Sequence, residues 1–144
     1  MKKITILLAG LLVSGYASAV TFTSTSGKLL DTDCTLLNES VTINLSKDVV
    51  GGASCNARAI ALTTCHIGGR KTQRNAPKCT DTDGDADTGL LGKEDCSATE
   101  TEQVTGAAVA SATTLAGTVQ QQYPGATCTA GLAEAQATEN LPGE

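Results

Sequence analysis

The chain has 144 residues, of which 10 are lysine or arginine and 15 are aspartate or glutamate, giving a formal net charge of −5. The length fits one small domain, and the negative charge argues against nucleic acid or an anionic membrane as the main partner. With no tryptophan and one phenylalanine, apolar burial alone falls short of what usually holds a domain together. The six cysteines are the obvious additional source of stability.

The first 19 residues have the three-part pattern of a secretory signal peptide. Two lysines follow Met1, an apolar run spans residues 4–13, and Ala17-Ser18-Ala19 matches a small-residue cleavage pattern. A membrane-spanning helix needs about 20 apolar residues, roughly twice the length of this run. We therefore predict that residues 1–19 are cleaved on export from a bacterial cell. The mature chain from Val20 would be periplasmic or secreted, with no membrane span.

The cysteines predict disulfide bonds. An even number of cysteines in an exported chain is typical of a disulfide framework. Because no Cys-x-x-Cys pair occurs, zinc and haem sites are not expected. Among the many connectivities that six cysteines allow, sequence proximity favours two local pairs and leaves the third as the remainder. The predicted pairs are Cys34–Cys55, Cys65–Cys128 and Cys79–Cys96.

Alternating apolar and polar residues predict strands, and the fold class is therefore mainly β, as a small antiparallel sheet or sandwich. The predicted strands are residues 20–26, 41–45 and 57–67. In the first strand, Val20 and Phe22 share a face. In the third, Ile60 and Leu62 lie on one face, whereas the flanking alanines and Cys65 lie on the other.

Two further features concern the strand at 41–45 and the glycine pair after it. The apolar residues Val41, Ile43 and Leu45 of the strand alternate with polar ones and are predicted to face inward. Gly51-Gly52 comes next, and two consecutive glycines are typical of a break between elements. We therefore expect a turn there.

The apolar alternation stops over residues 68–102, which predicts a long, charged, loop-rich segment closed by a disulfide. Its charges are segregated, because four basic residues come before eight acidic ones. Such proximity favours internal pairing of the opposite charges over binding of an anionic polymer. The basic residues are Arg70, Lys71, Arg74 and Lys78.

An alanine-rich segment follows the charged one. Ala108, Ala112, Leu115 and Val119 recur at helical spacing, and a Pro-Gly stop signal comes after them. These features predict a C-terminal alanine-rich helix over residues 106–123, with an extended Thr/Ala-rich strand as the alternative. Residues 132–138 would add one more helical turn. Residues 20–139 would thus form a single domain, with 140–144 as a flexible tail.

A run of alternating aspartates offers a candidate calcium site, since Ca²⁺ prefers several carboxylate oxygens around one centre. The residues are Asp81, Asp83, Asp85 and Asp87. The run resembles the Asp-rich calcium loops of EF-hand, dockerin and thrombospondin-type repeats. If Asp81 takes the first position, however, Ala86 stands where the EF-hand loop has glycine and Gly92 stands where it has glutamate. A solvated acidic turn is the competing interpretation, and no other cofactor is expected.

Catalytic groups are few. His66 is the single histidine, so a histidine-dependent catalytic set would have to use it. Cys65 and His66 point to opposite faces of a strand and cannot form a nucleophile–base pair. We therefore expect no enzymatic activity, with a small secreted hydrolase, or an inhibitor that uses loop 68–78, as an alternative.

Residues 27–34, which end in a cysteine, precede the strand at 41–45. This order resembles the early part of chaperone–usher fimbrial subunits, where a cysteine precedes a β-strand. In that family an extended N-terminal segment completes a neighbour's sheet, a role that the resemblance gives to residues 20–26. The sequence predicts an exported, non-catalytic surface, matrix or fibre/pilus-type module that binds a protein partner or assembles with itself. The calcium-dependent binding domain is the other alternative.

Overall fold

The computed structural model of the protein describes residues 18–23, 26–80 and 97–142. Within these ranges the fold is mainly β, as predicted, with a helix near the C-terminal end. The elements, in chain order, are β1 (Ser18–Phe22), β2 (Ser26–Leu29), β3 (Val41–Asn44), β4 (Val49–Cys55), β5 (Ile60–His66), β6 (Arg74–Thr80), β7 (Ser97–Val104), β8 (Val109–Thr113), β9 (Val119–Gln122) and α1 (Ala130–Glu139).

A five-stranded antiparallel sheet lies at the centre of the molecule. Its strands follow the order β1-β4-β5-β8-β9, while β2 pairs with β3 and β6 pairs with β7 in two separate ribbons. Helix α1 packs against β1, β4 and β5, and the β2–β3 ribbon lies on the opposite face, over Phe22. Because side chains alternate between the two faces of a strand, each central strand contributes to both layers.

The ribbon side of the sheet carries the larger apolar side chains. Phe22 is 1% exposed and packs with Leu29, Cys34, Ala53 and Cys55. Partly buried residues surround this cluster: Val20, Leu37, Ile43, Leu45, Ile60 and Leu62. The predicted facing of the first and third strands is confirmed. The prediction for Val41 is wrong, because this residue at the end of the ribbon is 41% exposed.

The helix side is built from small and polar residues. Ala59 and Ala61 pack against Ala137 and Leu141. A second cluster unites Val50, Ala107 and Val109 with the half-cystines of one disulfide, those at positions 65 and 128. Since Leu141 is 7% exposed, the chain just after α1 belongs to this core, whereas residues 140–144 were predicted to form a flexible tail.

A chain of buried hydrogen bonds also holds the helix side together. The hydroxyls of Thr63 and Ser111 lie 2.8 Å apart, and Ser111 donates to the side-chain carbonyl of Gln122 at 2.9 Å. The amide of Gln122 donates to Asn140 Oδ1 at 2.7 Å, and Asn140 donates back to Gln122 at 3.0 Å. All four residues are buried, so the network satisfies polar groups that would otherwise be costly to bury.

The prediction of a break at Gly51-Gly52 is wrong, because both glycines lie inside β4 and are buried. A Cβ atom at Gly52 would be only 2.3 Å from the backbone nitrogen of Glu134 in α1. Glycine is therefore needed where the helix crosses the strand, and it marks a close approach of two backbones rather than a turn.

The prediction of a helix over residues 106–123 is wrong, and the strand alternative is correct. The segment forms β8 and β9, joined by a turn in which Gly117 has a φ of 63°. Spacing of three and four residues was compatible with a helix, but β-branched residues and the glycine favour a hairpin. The helix comes later, where Thr129 caps α1 by accepting a hydrogen bond from the Leu132 amide at 3.0 Å.

Part of the segment predicted to be loop-rich is also ordered. Within residues 68–102, β6 and most of β7 form an antiparallel ribbon with a register shift between Lys78 and Thr80. Alternation of apolar and polar residues marks a strand with one face in a core. This ribbon lies apart from the central sheet, so its sequence lacks that alternation. Its two strands pack mainly against each other among the described elements.

Two predicted disulfides are present. Cys34 is bonded to Cys55, and Cys65 is bonded to Cys128. The first joins the loop between β2 and β3 to β4 of the central sheet. The second joins β5 to the segment that leads into α1. The third predicted pair, Cys79–Cys96, is not tested, because Cys96 lies outside the described residues.

The start of β1 bears on the predicted export signal. Ser18 and Ala19 pair with Cys55 and Ser54 of β4, so the predicted cleavage site lies inside the strand. Residues 20–22, on its C-terminal side, pair with residues 51–53 of β4 in the same chain. In the described part of the chain, no helix is long and apolar enough to cross a membrane.

Candidate functional site

Among the residues that the structure describes, His66 and the disulfide cysteines are the ones predicted to have a chemical role. The calcium candidates Asp81, Asp83, Asp85 and Asp87 lie outside the described residues. In the part of the chain that the structure describes, no three His, Cys, Asp or Glu side chains come close enough to hold a metal ion together. Cys34, Cys55, Cys65 and Cys128 are buried in disulfides, which gives them a structural role.

His66 lies at the exposed end of β5. Its Nδ1 atom accepts a hydrogen bond from the backbone amide of Gly68 at 3.0 Å. Cys65, directly before it, points into the core and is bonded to Cys128. The opposite orientation of the two side chains is the one predicted. This arrangement supplies neither a thiol nucleophile nor a base paired with one.

A shallow, open depression of about 340 Å³ lies beside His66. Small side chains form much of its floor, among them Thr64, Ala108 and Ala110. Val119 and Gln121 of β9 form part of its rim. Small-molecule sites usually bury most of the ligand's surface, which an open depression does not do. This depression is better suited to the side chains of an extended peptide.

The depression leads to the free edge of the central sheet, which we call the β9 edge: Val119–Gln122 together with the turn at residues 114–118. Among the strands that the structure describes, β9 pairs with β8 alone. Among the described residues, no backbone hydrogen bond outside that ladder involves 119–122. The other edge strand, β1, is contacted by both α1 and β2, so the β9 edge is the less covered of the two.

The β9 edge also exposes apolar side chains. Val119 is 74% exposed and Leu115 is 62% exposed, the highest values among the large apolar residues that the structure describes. No charged residue occurs between positions 103 and 133. Sheet edges are usually protected from unwanted pairing by charges, proline or bulges, and β9 itself has none of these.

The base of the β6–β7 ribbon is fixed next to the end of β9. The guanidinium of Arg74 lies 5.2 Å from the centroid of the Tyr123 ring, within the range of a cation–π contact. Arg74 also donates to the carbonyl of Gly106 at 3.1 Å and to that of Arg70. This member of the basic stretch therefore positions the ribbon through contacts with an aromatic ring and with backbone carbonyls.

The sequence analysis does not predict this sheet edge, because the helical spacing of apolar residues in 106–123 favours a helix over a strand. A usable signal was present, since 31 consecutive residues without charge, 103–133, stand out in a chain that is 17% charged. An uncharged run with β-branched residues is typical of a strand that pairs with another strand.

No protein-family model matches the chain, and neither a curated protein nor a solved structure is similar enough to count as a match.

Proposed function

We propose that the protein is an exported, non-catalytic module that acts through protein contacts as a surface, matrix or fibre component. The observation that carries this proposal is the position of the two disulfides. The Cys34–Cys55 and Cys65–Cys128 disulfides each join a flanking segment to the central sheet. Each of these four cysteines is at most 5% exposed. Disulfides persist in oxidising compartments, which agrees with the signal peptide predicted at residues 1–19.

The protein-binding part of the proposal is supported by the β9 edge. Unpaired backbone groups on an edge strand are a template for an added strand. The open depression beside the edge offers space for alternate side chains of such a strand. A catalytic role has less support, because the environment of His66 contains no paired nucleophile.

Export and disulfide formation are tested together in a bacterial host. The full chain is expressed with residues 1–19 in place, and the periplasmic product is analysed by mass spectrometry before and after thiol alkylation. We expect removal of residues 1–19, no alkylated cysteine, and disulfide-linked peptides that join Cys34 to Cys55 and Cys65 to Cys128.

The matched control is the same chain started at Val20 and kept in the reducing cytoplasm. We expect it to have alkylatable thiols and to be degraded much faster by added protease. Cooperative unfolding of the periplasmic product with all its thiols alkylatable would contradict the proposal. Retention of residues 1–19 on a cytoplasmic product would contradict the export part alone.

The calcium-dependent alternative is tested separately by calorimetric titration of the oxidised protein with Ca²⁺. Replacement of Asp81, Asp83, Asp85 and Asp87 by asparagine removes the charges that a hard cation requires. Heat that is released by the unmodified protein and abolished by these replacements would establish the site. An absence of heat at millimolar calcium would remove it.

A further inference from the structure

The β9 edge combines three properties that point to one occupant. In the described ranges, the backbone of residues 119–122 makes no hydrogen bond outside its ladder with β8, and Val119 and Leu115 are the most exposed large apolar side chains. The surrounding sequence, residues 103–133, carries no charge. A chain with a net charge of −5 repels its own copies wherever charged surfaces meet. The stretch at 103–133 is where two copies approach each other without that repulsion.

We propose that two copies of this chain pair through β9 in antiparallel orientation, around a two-fold axis perpendicular to the sheet. The two five-stranded sheets then continue into one another. An edge strand is always complementary to its own antiparallel copy, and two-fold dimers are the commonest closed assemblies. The inference rests on the proposed function only in its premise that the protein acts through protein contacts.

The two-fold axis restricts the register. Because it keeps each face of the sheet on the same side, residues that lie opposite each other must point to the same face. Val119 and Gln121 are exposed, whereas Gln120 is half-buried and Gln122 is buried on the helix side. Pairings such as Val119 with Gln122 of the second copy are therefore excluded. Either Gln120 or Gln121 must lie on the axis, opposite itself.

The side chains of β9 suit such pairing. Glutamine carries both a donor and an acceptor, so whichever of Gln120 and Gln121 lies on the axis can bond to the identical residue of the second copy. Stacked glutamines stabilise strand pairs of this kind. Val119 and Leu115 would lose solvent contact at the rim of the interface.

The first test measures the mass of the oxidised mature protein by sedimentation equilibrium across micromolar to millimolar concentrations. We expect a concentration-dependent monomer–dimer equilibrium. Val119→Lys places a charge on the edge and should raise the dimer dissociation constant by about tenfold or more. Val41→Lys, on an exposed apolar residue of the β2–β3 ribbon, is the matched control and should leave the equilibrium unchanged.

The second test fixes the register. Gln120→Cys and Gln121→Cys are oxidised mildly as separate variants, and the product is separated under denaturing, non-reducing conditions. The variant whose cysteine lies on the axis should form a covalent dimer, because directly opposed Cβ atoms are about 5 Å apart. Thr42→Cys, on an exposed residue of β3, should remain monomeric.

Several results would overturn the inference: a monomer throughout the concentration range, equal dimerisation of Val119→Lys and the unmodified protein, or growth into open polymers. A monomer that binds an added strand-forming peptide at β9 would assign the edge to a different protein. Disulfide mapping of each variant separates loss of pairing from loss of folding. Because export and disulfide formation are measured independently, a monomeric result leaves that part of the proposed function standing.

Discussion

The two sides of the central sheet are stabilised in different ways. The ribbon side packs around Phe22, the one phenylalanine of the chain. The helix side packs alanines and glycine closely and adds a buried hydrogen-bond network from Thr63 to Asn140. One disulfide joins each side to the sheet. A chain with few large apolar residues can thus pack elements on both faces of its sheet. On the helix side, closely packed backbones and hydrogen-bonded polar groups take the place of large apolar side chains.

Removal of either disulfide should cause the largest loss in the free energy of unfolding, and the size of the loss should differ between the two sides of the sheet. Cys65–Cys128 spans 63 residues and Cys34–Cys55 spans 21, so the chain-entropy model gives losses of about 4 and about 3 kcal/mol on removal. Double alanine variants of each pair, unfolded in urea, should show this order. The opposite order would mean that native packing around the ribbon, rather than loop length, dominates the contribution of its disulfide.

Neighbouring glycines in β4 give the next comparison, because they face opposite sides. A Cβ atom at Gly52 would meet backbone atoms of α1 at 2.3–2.4 Å, whereas one at Gly51 would have its nearest contacts at 3.2–3.3 Å. We expect Gly52→Ala to lower the free energy of unfolding by about 3 kcal/mol, since the helix backbone must move. Gly51→Ala should cost about 1 kcal/mol or less.

Chemical denaturation of the two glycine variants measures this difference, and hydrogen exchange locates it. Exchange should accelerate in α1 for Gly52→Ala and remain near its original rate there for Gly51→Ala. Equal destabilisation by the two substitutions would show that the close approach of helix and strand is not specific to one face.

The hydrogen-bond network sharpens the contrast on the helix side. Ser111→Ala leaves the buried hydroxyl of Thr63 and the carbonyl of Gln122 without one partner, so we expect a loss of about 2 kcal/mol. Adding Thr63→Val removes the unsatisfied hydroxyl. The double variant should therefore be no less stable than Ser111→Ala alone, and strictly additive losses in urea unfolding would contradict a coupled network.

The sequence predicts the features of the two sides that depend on residues close together in the chain. It does not predict those that depend on contacts between distant segments. Alternation in residues 57–67 predicts which side chains of β5 face each layer, because facing is a local property. Proximity predicts the pairing of Cys34 with Cys55, and the pairing of Cys65 with Cys128 follows as the remaining pair. The reason for Gly52 is not local, since the helix that it meets lies about 80 residues later in the chain.

The same limit explains the error at residues 106–123 and the missed site. Ala112 and Val119 satisfy helical spacing, but Ser111 and Gln122 find their partners on β5 and after α1. Their pairing selects a hairpin, and no window around β8 reveals it. The candidate site depends on β9 being the last strand of the sheet, which is a property of topology rather than of its four residues.

The smallest expected effect concerns the loop between β2 and β3, at the edge of the ribbon side. The hydroxyl of Ser40 donates to the carboxylate of Asp31 at 2.7 Å. This hydrogen bond, supported by backbone amides and by Lys28, lowers the pKa of Asp31 from its ordinary value of 3.8. The ionised carboxylate is therefore favoured in the folded state.

Since the pKa of Asp31 is lower in the folded than in the unfolded chain, its contribution to stability is fully present above the unfolded pKa. The contribution is lost as the pH falls through the folded pKa. Unfolding in urea at a series of pH values should show a small stability difference between the unmodified protein and Asp31→Asn at pH 7. This difference should shrink below about pH 4. Ser40→Ala should weaken the pH dependence, because it removes the main cause of the pKa shift. A difference that stays constant down to pH 2 would mean that the Asp31 carboxylate does not stabilise this loop, and that the stability of the ribbon side comes from its apolar cluster and the Cys34–Cys55 disulfide.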